Sequence, residues 1–179
     1  MVHDYHMKQY ETMFECTRGL LEFMDECVGE MGERRIADVA CGAGANIVHM
    51  LRRWPQSRVS GYTLEEHEVE FARAHLPVDL ADRCDGYVPM DFFQIQEKVA
   101  ADTVDIATIM QTIFFWPPDE AEAILQSLMH MSSEWVFISG LFDRHNMDVT
   151  MKIRDHAKNC DVQYCIFDIP KWEERCKRL

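Results

Sequence analysis

The stretch "RRIADVACGAGANI", Arg34 to Ile47, decides the fold. Its first half contains "RIADVAC", an apolar run of strand length. Its second half enters "GANIVHMLRRWP", which places Ile47, Met50, Leu51 and Trp54 on one helical face before Pro55 stops it. Gly42 and Gly44 permit positive φ and let a ligand reach the backbone without meeting a Cβ. The helix that follows offers free N–H groups at its start. A bare strand–helix turn carries the same letters, so the surrounding pattern has to decide.

That pattern alternates. "SRVSGYTL" reads as a second strand, and "EEHEVEFARAHLP" as a helix with Val69, Ala72 and Leu76 inward. "RCDGYVPMDFF" is a shorter strand ending near Asp91, and "TVDIATIMQTIFF" a long apolar one. Pro117-Pro118-Asp119 opens a helix over Glu120–Met131, and "EWVFISGLF" is a further buried strand. Strands alternating with helices predict an α/β, doubly wound, Rossmann-like parallel sheet with helices on both faces. Ahead of it, Tyr10, Met13, Phe14, Thr17, Leu21, Met24 and Val28 form one amphipathic stripe ending at Gly29 and Gly32. The tail from Asp148 to Leu179 reads as a helical start, the extended piece "QYCIFDI" and a last helix "PKWEERCKRL". With 179 residues the chain is expected to be a single domain. Its parts are an N-terminal helix over 1–32, an α/β core over 34–142 and a C-terminal segment over 143–179.

The ligand can be narrowed. A dinucleotide fingerprint wants a small residue where Ile47 stands, and no G-K-[ST] follows for a triphosphate. The net charge of −13, with no lysine or arginine stripe, argues against nucleic acid. No apolar run approaches membrane-spanning length, and the polar start "MVHDYHMKQYETMFE" is unlike a signal peptide, so a cytoplasmic protein without a membrane partner is expected. Seven cysteines without a C-x-x-C, and eight scattered histidines, point to reduced thiols and no metal.

"DVACGAG", Asp38 to Gly44, in this context resembles the first motif of class I S-adenosylmethionine-dependent methyltransferases, and the resemblance runs from Arg34 to about Phe142. It implies S-adenosyl-L-methionine as cofactor, S-adenosyl-L-homocysteine as product, and Asp38, Ala40, Gly42 and Gly44 around the methionine part. "MDFF" places Asp91 and Phe92 where that family holds adenine, and "IMQTIFFWPPDEA" makes Gln111 a cofactor contact. One departure stands out. Where the family ends its second strand in an acid for the ribose, "VSGYTLEE" has Thr63 followed by Leu64, as some cyclopropane-fatty-acid-synthase-like branches do. Thr63 is left to bond the ribose, with Glu65 or Glu66 reaching round.

The resemblance implies methyl transfer to a small molecule. The "NPPY" motif of planar amide and amine methylation is absent, with "MQTIFF" in its place, which favours a hydroxyl acceptor or an unspecialised small molecule. A hydroxyl benefits from a base. His145, with Asp143, lies after the "FISGLF" strand on the correct edge of the sheet. Tyr5, His6 and Tyr10 lie on the first helix, which in this family often folds over the site. Tyr10, Phe115 and Trp116 are expected to wall the substrate pocket, although core packing accounts for the aromatics equally well. The two strands that usually close the sheet edge are not apparent. Either the sequence is a shortened or naturally minimal version of such an enzyme, which is the favoured expectation, or a homodimer mate or partner chain covers the edge strand "EWVFISGLF". That leaves two alternatives: a non-catalytic methyltransferase-like subunit completed by another chain and, more remotely, a dehydrogenase.

Overall fold

A computed structural model describes residues 2–144, 147–155 and 160–179. Five strands lie parallel: β1 (Arg35–Val39), β2 (Arg58–Thr63), β3 (Cys84–Pro89), β4 (Val104–Met110) and β5 (Ser132–Ser139). Their spatial order is β3-β2-β1-β4-β5, so the chain winds outward twice from β1. Helices cover both faces, as the alternating pattern predicted. On one face Ile36, Val59 and Ile106 pack with α2 (Glu15–Val28), α3 (Ala45–Arg53) and α4 (Glu66–His75). On the other, Ala37, Val39, Ala107 and Ile109 pack with α5 (Ile95–Lys98) and α6 (Pro118–Met131). Residues of opposite parity on the same strands serve the two cores, which is why these strands read as continuous apolar runs.

The N-terminal stripe is two helices, not one. α1 (Val2–Glu11) stops, the chain turns through residues 12–14, and α2 begins. Tertiary bonds explain the break. The Tyr10 hydroxyl donates to the Ala43 carbonyl at 2.5 Å, and the His49 ring on α3 bonds the Gln9 carbonyl at 2.8 Å. These hold α1 across the glycine turn, where a continuous helix would have carried it away.

The tail forms a strand pair, although it does not close the edge of the five-stranded sheet. β7 (Val149–Asp155) runs antiparallel to β8 (Cys160–Asp168), and β8 also pairs in parallel with β6 (Phe142–Asp143). The supposed helical start of the tail is therefore β7, and α7 (Ile169–Cys176) follows β8. Phe167 N–H donates to the Leu141 carbonyl at 3.0 Å, and the Phe142, Phe167 and Trp172 rings form one aromatic cluster. These three strands form a sheet of their own, and β5 remains the edge of the five-stranded one. Trp135 on that edge stays 40% exposed. Among the described residues no helix is long and apolar enough to cross a membrane.

Candidate functional site

The carboxyl ends of β1 and β4 open onto a cavity of about 240 Å³. Its floor is the turn from Ala40 to Asn46, one wall is Met110, Gln111 and Thr112, and α1, α2 and the turn between them supply Tyr5, His6, Gln9, Phe14, Cys16 and Thr17. Glu68 of α4 closes the remaining side. This is the crevice at the switch point of a doubly wound sheet, beside the first strand.

Two non-glycine residues here have left-handed backbones: Ala40, just past β1, with φ 58°, and Gln111, just past β4, with φ 54°. Such a conformation costs a residue with a Cβ about 1–2 kcal/mol. Both line the cavity, where strain of this kind tends to be retained. Gln111 is fixed twice, its N–H donating to the Ser139 carbonyl at 2.9 Å and its side-chain amide to the Ser139 hydroxyl at 2.7 Å.

Gly42 and Gly44 also have positive φ, 53° and 84°. A Cβ at Gly44 would lie 2.7 Å from the Tyr87 ring and 2.9 Å from the Ala72 methyl, so this glycine serves the packing beneath the turn. A Cβ at Gly42 would stand 3.6 Å from the Glu68 carboxylate, so this glycine keeps the cavity side open. Gly44 precedes α3 and no side chain caps that helix, so its first N–H groups lie at the cavity wall formed by Ala45 and Asn46. Ile47, too bulky for a dinucleotide register, is fully buried because β2 yields to it. Its Cδ1 occupies a point 2.5 Å from where a Gly61 Cβ would be. The small residue needed for close helix–strand contact has moved from α3 to β2.

Of the site candidates singled out in the sequence, Tyr5, His6, Ala40, Gly42, Gly44 and Gln111 line the cavity. Asp38 lies beneath it, 1% exposed, with Oδ1 accepting from the Thr108 hydroxyl at 3.0 Å and Oδ2 without a partner. Burial pushes its carboxyl up to about 7, and the Thr108 bond opposes that rise. Burial likewise raises the Cys41 thiol well above its ordinary range, so it remains protonated. Tyr10 is buried as the brace on Ala43 and is not on the pocket wall. Asp91 caps the short turn Phe92–Gln94, accepting from the Phe93 N–H at 3.0 Å. Phe92 packs edge-on against Phe93 and Trp116, and Phe115 lies against Tyr164 of β8. These aromatics, and the exposed Leu64, lie outside the cavity lining. His145 lies outside the described residues, and Asp143 sits in β6.

Glu68 is the cavity residue that sequence reasoning missed. Thr63 is buried at the end of β2, and its hydroxyl donates to Glu68 Oε2 at 2.8 Å. Glu65 lies at the N-cap of α4 and Glu66 is exposed, and neither lines the cavity. Among the described residues no group of three His, Cys, Asp or Glu side chains is arranged to hold a metal ion.

Comparison with known proteins agrees with this arrangement. Trans-aconitate 2-methyltransferase of Rhodopseudomonas palustris (strain BisB18) is 43% identical over 44 residues, 25% of this chain and 17% of that protein. Among solved structures, Burkholderia thailandensis 1,6-didemethyltoxoflavin-N1-methyltransferase, with bound 1,6-didemethyltoxoflavin and S-adenosylhomocysteine, superposes with a TM-score of 0.69. It is 18% identical, and the match covers 99% of this chain and 72% of that one. The mitomycin 7-O-methyltransferase MmcR superposes with a TM-score of 0.53 at 26% identity, over 64% of this chain and 33% of its own. The chain thus spans under a fifth of the curated relative and a third of MmcR. A family profile described as "Methyltransferase domain" matches residues 36–133, from β1 into the start of β5. That span is more than half of the sequence and includes the glycine turn, Glu68 and the Gln111 wall, so this chain belongs to the methyltransferase domain family.

Proposed function

We propose that the protein transfers a methyl group from S-adenosylmethionine to a small-molecule acceptor, a hydroxyl being the acceptor group we expect. The observation that carries this reading is the cavity floored by Ala40–Asn46 at the carboxyl ends of β1 and β4. Its chemistry suits the cofactor at several points. The uncapped start of α3 favours an amino-acid carboxylate, Gly42 leaves room for close approach, and the acidic wall at Glu68 matches a ligand with net positive charge. Asp38, Ala40, Gly42, Gly44 and Gln111 would form or support the methionine end. The cofactor, when bound, supplies a sulfonium methyl that is already electrophilic.

The chain's own residues then have to orient the acceptor, exclude water and accept a proton. The wall from α1 is built for this. The Gln9 side-chain Nε2 donates to the Tyr5 hydroxyl at 3.3 Å, and the His6 ring Nδ1 lies 3.5 Å from the Gln9 side-chain Oε1. A proton on Nδ1 leaves Nε2 of His6 as the basic nitrogen. At about 240 Å³ the cavity is below the roughly 300–1,000 Å³ of drug-sized ligand sites, so the acceptor we expect is small.

Calorimetric titration with S-adenosylhomocysteine tests the reading. The wild type should bind, and Gly42→Val should lose binding while remaining folded. A folded wild type that does not bind would sink the proposal.

A further inference from the structure

The side of the cavity formed by α1 and the turn into α2 is aromatic. Tyr5 stands edge-on to His6, with ring centroids 5.7 Å apart, and edge-on to Phe14 at 6.0 Å. All three line the cavity, and Phe71 of α4 meets the His6 ring at 5.4 Å. His6 Nδ1 faces Gln9 Oε1 at 3.5 Å, and Gln9 Nε2 donates to the Tyr5 hydroxyl at 3.3 Å, so these side chains fix one another. The helix that carries them is fixed in turn, because the Gln9 carbonyl bonds the His49 ring at 2.8 Å. With an amide oxygen as its Nδ1 partner, the imidazole carries its proton there and keeps the Nε2 lone pair. No lysine or arginine lines the cavity, and Glu68 is a carboxylate. The start of α3 is assigned above to the cofactor, so an acceptor bearing a carboxylate or phosphate meets no fixed cation. Glu68 already accepts from the Thr63 hydroxyl, and the Cys41 thiol remains protonated, which leaves His6 as the base on the aromatic side.

We propose that the acceptor is a phenolic hydroxyl on a single planar ring, packed against Tyr5 and Phe14 and deprotonated by His6 Nε2. The inference rests on the cofactor reading above and names the acceptor class for it. An imidazole ionises near neutrality and a phenol at about 10, whereas an aliphatic alcohol is a far weaker acid. A phenol is therefore the hydroxyl that a neutral imidazole can deprotonate as the bond to carbon forms. A flat ring also meets Tyr5 and Phe14 in the offset or edge-on arrangements that aromatic pairs prefer. In the transfer, the acceptor O–H gives its proton to His6 Nε2, and an oxygen lone pair forms the bond to the methyl carbon. The C–S bond breaks and its electron pair stays on sulfur. A sulfonium and a phenol thus become a thioether, an aryl methyl ether and an imidazolium. The last proton passes to water, since His6 is only half-buried.

The test measures methyl transfer from S-adenosylmethionine by the full chain at about pH 8, with phenol, cyclohexanol and benzoate as acceptors of similar size. Wild type should methylate phenol with a kcat/KM roughly tenfold or more above that for either of the others. A preference for cyclohexanol or benzoate, equal rates, or turnover of none of the three would overturn the proposal. Calorimetry with S-adenosylhomocysteine on the same sample separates two failures. Binding without phenol turnover sinks only this inference, and no binding sinks the cofactor reading with it. The base is tested with His6→Gln on phenol and on 4-nitrophenol, which is already largely ionised at this pH. His6→Gln should lower kcat about 100-fold or more for phenol, and by no more than about threefold for 4-nitrophenol. An equal loss on both acceptors would mean that His6 only shapes the wall, and would overturn its role. If that variant does not fold, the wild-type comparison decides alone.

Discussion

The turn between β1 and α3 and the hairpin of β7 and β8 are opposite kinds of structure. Around the turn every side chain has a fixed neighbour: Ile47 against Gly61, Tyr10 on Ala43, Thr108 on Asp38. The hairpin pairs Met151 with Tyr164 and Ile153 with Val162 across the strands, but Met151 and Ile153 are 39% and 49% exposed. Among the described residues of the pair, Cys165, Phe167 and the terminal Asp168 of β8 are buried. The difference shows where specificity is stored. In the turn it comes from close contacts that no other residue fits, and in the hairpin from one buried row and the aromatic cluster behind it.

Several substitutions would sharpen or break that contrast. Phe167→Ala removes the buried ring joining β8 to Trp172, and should cost about 3–5 kcal/mol in urea unfolding. A cost near zero would mean that the C-terminal segment is not part of the cooperative unit. At the turn, Asp38 carries a pH signature. Burial raises its folded pKa from the ordinary 3.8 to about 7, so its contribution is fully present below pH 4 and lost as pH rises through 7. Asp38→Asn should therefore gain on wild type by a few kcal/mol between pH 4 and 8 in denaturant titrations, about 1.4 kcal/mol for each pH unit of the shift.

Next in size is Gly61→Ala, whose methyl would press on the Ile47 Cδ1 and the Cys41 sulfur. It should cost about 1–3 kcal/mol, and Ile47→Val should recover part of that in the double variant. Additive losses would show that the two residues are not fitted to each other. Ala40→Gly relieves the left-handed strain but loosens the unfolded chain, and should shift stability by no more than about 1 kcal/mol, whereas Ala40→Val should melt at a clearly lower temperature. Smallest of all, Ile153→Thr on the open face of the hairpin should stay within about 0.5 kcal/mol.

The same contrast explains what was legible. The parallel sheet could be read because its strands are buried on both faces and leave long apolar runs, and the turn because glycine is nearly obligatory at Gly44. The hairpin was misread although "VTMKIRD" alternates with period two. Its apolar residues are few and half-exposed, so no strong periodic signal results. The break between α1 and α2 left no local mark, since the bonds that enforce it come from Ala43 and His49. The missing sugar acid was noticed, but three glutamates crowd positions 65, 66 and 68. Only the phase of α4, set by burying Val69 and Ala72 against the sheet, selects Glu68 to face the cavity.

The sequence by itself determined the alternation of strands and helices, the glycine turn and the family. These follow from local periodicity and from residue types that fit few backbones. Tertiary structure alone decided which acid meets the cavity, that Asp38 supports the turn from below, that Tyr10 is a brace, and that the tail closes as a hairpin. Those outcomes depend on helix phase and on contacts between residues far apart in the chain, and no local stretch of sequence encodes either.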